Sequence, residues 1–270
     1  MSNIIDIGIL GADGRMGKAI IDALSQTPNA ALSAAVTAPN SPNLGADASE
    51  IAGLKPSGIA LTYDVKTALD MCDVLIDFSH PKAAIDAVLA MHGTRCQTVV
   101  TGTTGYSEIE HRALLEAADT ITLLKSGNFS LGVNLLEALV EQAAKALRSG
   151  WDIEVLEMHH KHKIDAPSGT ALMLGEAAAR GRGVDLSDVR APIREGVAVA
   201  RSEGDIGFAA LRGGAVVGDH DVSLTSELEM VTLSHRAFDR SVFAKGAVTA
   251  ALWTHGQDKG LYSMRDVLGI

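Results

Sequence analysis

Short apolar runs alternate with amphipathic stretches along the first half of the chain. "IIDIGIL" (residues 4–10) is apolar at almost every position, which predicts a strand buried on both faces. "RMGKAIIDALSQ", from Arg15, carries its apolar residues at helical spacing and runs out before Pro28. Further strands are predicted at 31–37, 73–79, 97–102 and 120–126, with helices at 81–92 and 107–118. Segment 37–53, rich in Pro, Asn, Gly and Ser, reads as an irregular surface loop. Alternating elements of this length imply a parallel sheet with helices on both faces.

The texture changes near residue 130. A long helix is predicted at 131–149, a strand at 151–160 and a helix from Gly169. Residues 206–237 run as short strands broken by Gly-Gly, Gly-Asp and Ser-Glu turns, so an antiparallel meander is expected there. A last helix at 241–256 is expected to pack back on the first half. The predicted division is 1–130, completed by 240–270, and 131–239.

Composition narrows the class. Of 270 residues 47% are hydrophobic, with 27 glycines and few aromatics, the profile of an α/β enzyme and not of a disordered or fibrous chain. Acidic side chains number 33 against 23 basic ones, a net charge of −10, which argues against nucleic-acid or anionic-membrane partners. A local cationic patch is then better suited to a small anion. Cys72 and Cys96 lack CxxC or metal-ligand spacing and read as buried thiols of a reducing compartment. The N-terminus has no basic stretch before its apolar run, so no signal peptide and no membrane span are expected, and a cytoplasmic location is.

"GILGADGRMGKAI" places Gly11, Gly14 and Gly17 between the first strand and the first helix. Glycine at these positions lets the backbone turn tightly and offer helix N-terminal N–H groups to a pyrophosphate. The spacing is G-x-x-G-x-x-G, a departure from the commoner dinucleotide pattern. At the end of the second strand stand Thr37 and Ala38, where an acid would hold the ribose hydroxyls. With no acid to repel a 2′-phosphate and Arg15 nearby, the balance tilts to NADPH over NADH. "TGTTGY" and "KSGNFS" follow later strands of the same sheet, where open α/β sheets bind ligands. The fold class is therefore α/β, a Rossmann-like parallel-sheet nucleotide domain plus an α+β domain with a mixed, largely antiparallel sheet.

The second cluster is "HHKHKIDAPSGTA". His159, His160, Lys161, His162 and Lys163 repel one another when charged, so they make sense beside an anion. Ser168, Gly169 and Thr170 follow at a predicted helix N-terminus and offer N–H groups and two hydroxyls, a ready carboxylate site. Lys163 supplies a point charge, and a histidine can pass a proton near neutral pH. His159 and His162 could also ligate a metal, but no Cys or carboxylate set completes the site, so none is expected. His111, His235 and His255 read as isolated surface or core residues.

Together "GADGRMG", "DFSHP", "TGTTG", "NFSLGVN", "HHKHKIDAPSGTA" and "GFAALRGGAVVGDH" resemble the 4-hydroxy-tetrahydrodipicolinate (dihydrodipicolinate) reductase family, along essentially the whole chain. The resemblance implies an NAD(P)H-dependent reductase of lysine and diaminopimelate biosynthesis, without a metal. It implies coenzyme contacts from Gly11, Ala12, Asp13, Gly14, Arg15, Met16 and Gly17, from Gly102, Thr103 and Thr104, and from Ser126, Gly127, Asn128 and Phe129; Thr37, at the end of the second strand, is a further candidate by its position. It implies His159 as proton donor or acceptor and Lys163 as proton donor. His160, Lys163, Ser168, Gly169 and Thr170 would bind a small dicarboxylate substrate. A homotetramer assembled through the second domain's sheet is also implied. Thr37 and Ala38 depart from the acidic-basic pair common in the family, which leaves the coenzyme open. Two rivals stay open at this point: another NAD(P)-dependent dehydrogenase of a small dicarboxylate, and a dinucleotide sensor without turnover.

Overall fold

The computed structural model describes residues 4–192 and 200–270. The described chain up to Ser130, with Ser241–Gly269, forms one unit, and Leu131–Arg240 forms another.

The first unit opens with β1 (Ile5–Leu10), α1 (Arg15–Ser25), β2 (Ala30–Val36), α2 (Ala48–Ile51), β3 (Leu61–Thr62) and α3 (Val65–Met71). It continues with β4 (Val74–Asp77), α4 (Pro81–Ala90), β5 (Thr98–Thr101), α5 (Glu108–Ala117) and β6 (Thr122–Lys125). Its strands make one sheet in the order β11-β6-β5-β4-β1-β2-β3, where β11 is Gly260–Tyr262, and every pairing is parallel. All four residues of β4 and of β5 are buried, as expected for strands covered on both faces. One core packs Ile7, Ile9, Ile20 and Ala247; the other packs Leu10, Leu75, Val99 and Leu114. Strand order reverses at β1, between β2 and β4, so a crevice opens at the C-terminal ends of β1 and β4.

The loop expected at 37–53 contains one helical turn, α2, whose start is capped by the Asp47 carboxylate accepting from the Ser49 and Glu50 N–H groups. β3 and α3 have no counterpart in the sequence reading, since two residues and seven residues are too short to show a period.

The second unit contains α6 (Leu131–Ala146), β7 (Asp152–His159), α7 (Gly169–Arg182), α8 (Leu186–Val189), β8 (Ile206–Arg212), β9 (Gly218–Thr225) and β10 (Met230–Ala237). The sheet runs β10-β9-β7-β8. Residues 206–237 are thus not a simple meander. β9 and β10 form an antiparallel hairpin, while β8 pairs parallel to β7 on its other side. The cause is the connection: β7 leads through α7 and α8 before returning as β8, and such a crossover brings a strand back parallel. The Gly213–Gly214 turn then bonds to the end of β7, through Gly213 N–H to His159 C=O (2.9 Å) and Lys161 N–H to Gly214 C=O (3.2 Å). β7 alternates strictly, with Ile153, Val155, Glu157 and His159 buried beneath the helices. The chain then enters the first unit again through α9 (Ser241–Thr254), which packs on α1, and ends with α10 (Met264–Leu268).

Candidate active site

In the first unit, Gly11 leaves β1 with φ +82°, and a Cβ there would lie 2.6 Å from the Phe78 carbonyl oxygen. A Cβ on Gly17 would lie 2.3 Å from the Gly11 carbonyl oxygen. The turn is closed too tightly for any side chain at either place. Gly14 caps α1 without a side-chain hydrogen bond, and the first turn holds no acid. The leading N–H groups of α1, from Arg15 and Met16 onward, thus have no side-chain cap and no acid beside them, which suits a pyrophosphate. Ala12 is buried beneath it, and Arg15 is exposed beside it.

Asp13 points to the segment after β2, where Ser41 Oγ donates to it at 2.5 Å. Burial pushes the Asp13 carboxyl up, but hydrogen bonding, led by Ser41, outweighs burial and holds it below its ordinary value. A negative charge thus stands beside Thr37, although the acid expected at the strand end is missing.

A buried carboxylate ties the loop after β4 to the loop after β5. Asp77, at the end of β4, accepts from Ser79 N–H (3.0 Å), Ser79 Oγ (2.5 Å) and Thr101 Oγ1 (2.6 Å). Burial pushes its pKa up in spite of these bonds. Ser79 N–H also donates to Thr103 Oγ1 (3.0 Å), and Gly102 N–H to the Asp77 carbonyl (2.8 Å). A Cβ on Gly102 would run into the Phe78 ring at 2.3 Å, and Phe78 packs on Phe129 at 5.3 Å between centroids. Ser126 Oγ donates to the Asn128 carbonyl (2.7 Å). The glycine loop, Gly102–Thr103 and Ser126–Phe129 therefore meet around Phe78. Thr104 and Gly127 are exposed at the rim.

In the second unit, β7 ends at His159 and the cationic run turns away from the sheet. Lys163 Nζ pairs with Asp165 at 2.8 Å, and its side chain is 20% exposed. His160 is held below its ordinary pKa by partial desolvation and then by the charges of Arg240, His162, His159 and Lys163. Ser168 caps α7: its hydroxyl accepts from Ala171 N–H (3.1 Å) and its own N–H donates to Glu157 (3.1 Å). Of the three residues offered by the sequence, Ser168 is thus turned inward and buried, while Gly169 and Thr170 stand at the open end of the helix.

Behind His159 lies a buried network that the sequence reading did not single out. Glu157 Oε2 lies 2.6 Å from His159 Nδ1. Arg212 grips both oxygens of that carboxylate, at 2.7 and 2.8 Å, and donates to the Asp165 carbonyl at 2.6 Å. Burial would raise the Glu157 carboxyl, but Arg212, His159 and the Ser168 N–H hold it below its ordinary value. His220 stacks edge-on to His159 at 5.1 Å, and burial with the His159 charge depresses its pKa to about 4. Among the described residues no group of three or more His, Cys, Asp or Glu could hold a metal ion, and no helix is long and apolar enough to cross a membrane.

Comparison with known proteins decides the lineage. Residues 5–129 match the family model described as dihydrodipicolinate reductase, N-terminus, and residues 132–268 match dihydrodipicolinate reductase, C-terminus. The chain belongs to the dihydrodipicolinate reductase family. It is 52% identical to the 4-hydroxy-tetrahydrodipicolinate reductase of Parvibaculum lavamentivorans, over 100% of both chains. It is likewise 52% identical to that of Rhizobium meliloti, over 97% of this chain and 96% of the relative. A solved structure, a dipicolinate-bound dihydrodipicolinate reductase from Paenisporosarcina sp. TG-14, superposes with a TM-score of 0.78 at 22% identity, over 96% of this chain and 97% of that one. The Rossmann-like sheet and the mixed four-stranded sheet described above are the architecture of this reductase family.

Proposed function

We propose that the protein reduces (2S,4S)-4-hydroxy-2,3,4,5-tetrahydrodipicolinate to (S)-2,3,4,5-tetrahydrodipicolinate, with loss of water, in lysine and diaminopimelate biosynthesis in the cytoplasm. The observation that carries this reading is the second-unit cluster. The cationic run from His160 to Lys163 follows the end of β7, and α7 then opens at Gly169 and Thr170, in a chain half identical to named reductases.

In this reading Lys163, His160 and the N–H groups of Gly169 and Thr170 hold the two substrate carboxylates. Loss of the C4 hydroxyl as water gives a conjugated C=C–C=N system. The reduced nicotinamide, when bound, supplies a hydride to C4. Negative charge that spreads through the ring is stabilised by the oriented cations and N–H groups. Lys163 gives the proton that completes the reduction, and His159 gives or takes one at Nε2. Gly11–Gly17, Thr37, Gly102–Thr104 and Ser126–Phe129 would hold the coenzyme.

Arg15 and Asp13 bias the coenzyme in opposite directions, so the protein is proposed to use both NADPH and NADH, with Arg15 tilting it to NADPH. Arg15→Ala is expected to raise KM for NADPH on the order of 10-fold and KM for NADH by less than about twofold, as for one lost phosphate contact. Equal losses in steady-state assays would remove Arg15 from 2′-phosphate recognition.

A homotetramer is proposed through the open face of the four-stranded sheet. Leu156 (38% exposed), Leu211 (49%) and Met230 (62%) are large apolar side chains exposed on strands of that sheet. Sedimentation should give the mass of four chains; a monomer would contradict this.

The function itself is tested by mixing the protein with NADPH and substrate made in situ by the synthase that condenses pyruvate with aspartate semialdehyde. Loss of reduced-nicotinamide absorbance that depends on the synthase is expected. NADPH binding without turnover would instead favour the sensor reading.

A further inference from the structure

We infer that Glu157, locked by Arg212, is a positioning residue that fixes the proton of His159 on Nδ1 and leaves Nε2 as the atom that exchanges protons with substrate. This inference rests on the proposed role of His159 in the reaction.

The Glu157 carboxylate meets four contacts: Arg212 Nη1 (2.7 Å) and His159 Nδ1 (2.6 Å) on Oε2, and Arg212 Nη2 (2.8 Å) and Ser168 N–H (3.1 Å) on Oε1. Arginine and the backbone N–H can only donate, so the carboxylate is kept as a pure acceptor. An ionised carboxylate cannot give a proton to Nδ1, so the imidazole must bring its own there. Nε2 has no hydrogen-bond partner among the described residues, and a Cβ on Gly218 would lie 3.1 Å from it. A side chain at position 218 would crowd the one free nitrogen.

The lock is rigid on every side. Glu157 is 1% exposed and sits two residues before His159 on the same face of β7. Arg212 is the parallel-register partner of His159 on β8, and His220 is the antiparallel partner of Glu157 on β9. Two neighbouring strands and the start of α7 thus hold one ring in one orientation. A bidentate guanidinium is suited to this because its planar fork matches the carboxylate and it stays charged.

The test uses the full-length protein. Glu157→Gln retains the size of the side chain but can turn its amide toward Nδ1 as a donor, which allows the other tautomer. It is expected to lower kcat on the order of 10²-fold, the usual contribution of a positioned acid–base group, with KM for substrate and NADPH within about twofold. Combined with His159→Gln, it should cost no more than His159→Gln alone, because both changes remove one function. Losses that multiply would overturn the inference and make Glu157 a merely structural anchor. If His159→Gln itself keeps full activity, the reading of His159 as a reacting group fails, and with it the catalytic purpose of the lock.

A second measurement needs no variant. In protein labelled with ¹⁵N-histidine, at a pH where the ring is neutral, His159 is expected to show its proton on Nδ1. A proton on Nε2 would overturn the inference even if every variant behaved as expected.

Discussion

Lys163→Ala is expected to lower kcat on the order of 10²-fold or more while leaving the fold and NADPH affinity unchanged. The side chain is partly exposed and its ion pair with Asp165 reaches a residue that is itself exposed, so its loss costs little stability. The loops proposed to hold the coenzyme belong to the other unit. Lys163→Arg separates the two duties assigned to this residue. Arginine keeps the charge that grips a carboxylate but does not release a proton under assay conditions. It should therefore keep KM within a few fold and lose kcat almost as fully as alanine does. An unchanged kcat in either variant would remove Lys163 from proton transfer.

Gly246→Ala is expected to have the largest effect on stability. Gly246 lies in α9, where that helix crosses the Ser126–Phe129 loop, and a Cβ would stand 1.7 Å from the Phe129 carbonyl oxygen. The neighbour is backbone, so it cannot swing aside. Either α9 or the loop must shift, at a cost of about 3 kcal/mol by comparison with overpacked cores. A chain of this length would then lose roughly 6–12 °C in Tm. Because the displaced loop is proposed to hold the coenzyme, NADPH affinity should fall on the order of 10-fold as well. Gly256→Ala is the control, since nothing lies within 4 Å of a Cβ there. Equal Tm values for the two variants would show that the close approach carries no weight.

The parallel sheet was legible because its strands are apolar at nearly every position and its glycine turn is crowded on all sides, which restricts the sequence. The cationic run stood out in the sequence because clustered charges of one sign repel one another, which makes it a candidate anion site. What escaped was set by topology. His159 and Glu157 share a face of β7, and that alternation stood in the sequence. Arg212 reaches them only because β8 runs parallel to β7, pairing Arg212 with His159. An antiparallel meander, the simpler reading of residues 206–237, would have placed Arg212 elsewhere. His220 arrives the same way, through the register that sets it opposite Glu157. Ser168 shows the converse: its hydroxyl looked free for a ligand, but the helix it begins uses it as a cap. Arg240, next to α9, was also missed; its charge acts on His160, and no local pattern announces that approach.

The most direct test of the account follows the hydrogen itself. The protein would be given synthase-generated substrate and NADPH carrying deuterium at both C4 positions of the nicotinamide, and the product read by mass spectrometry. The account predicts a tetrahydrodipicolinate that has lost the elements of water and gained one deuterium, bonded at ring C4. Coenzyme oxidation that leaves no deuterium in the product, or deuterium in a product that keeps its hydroxyl, would contradict it.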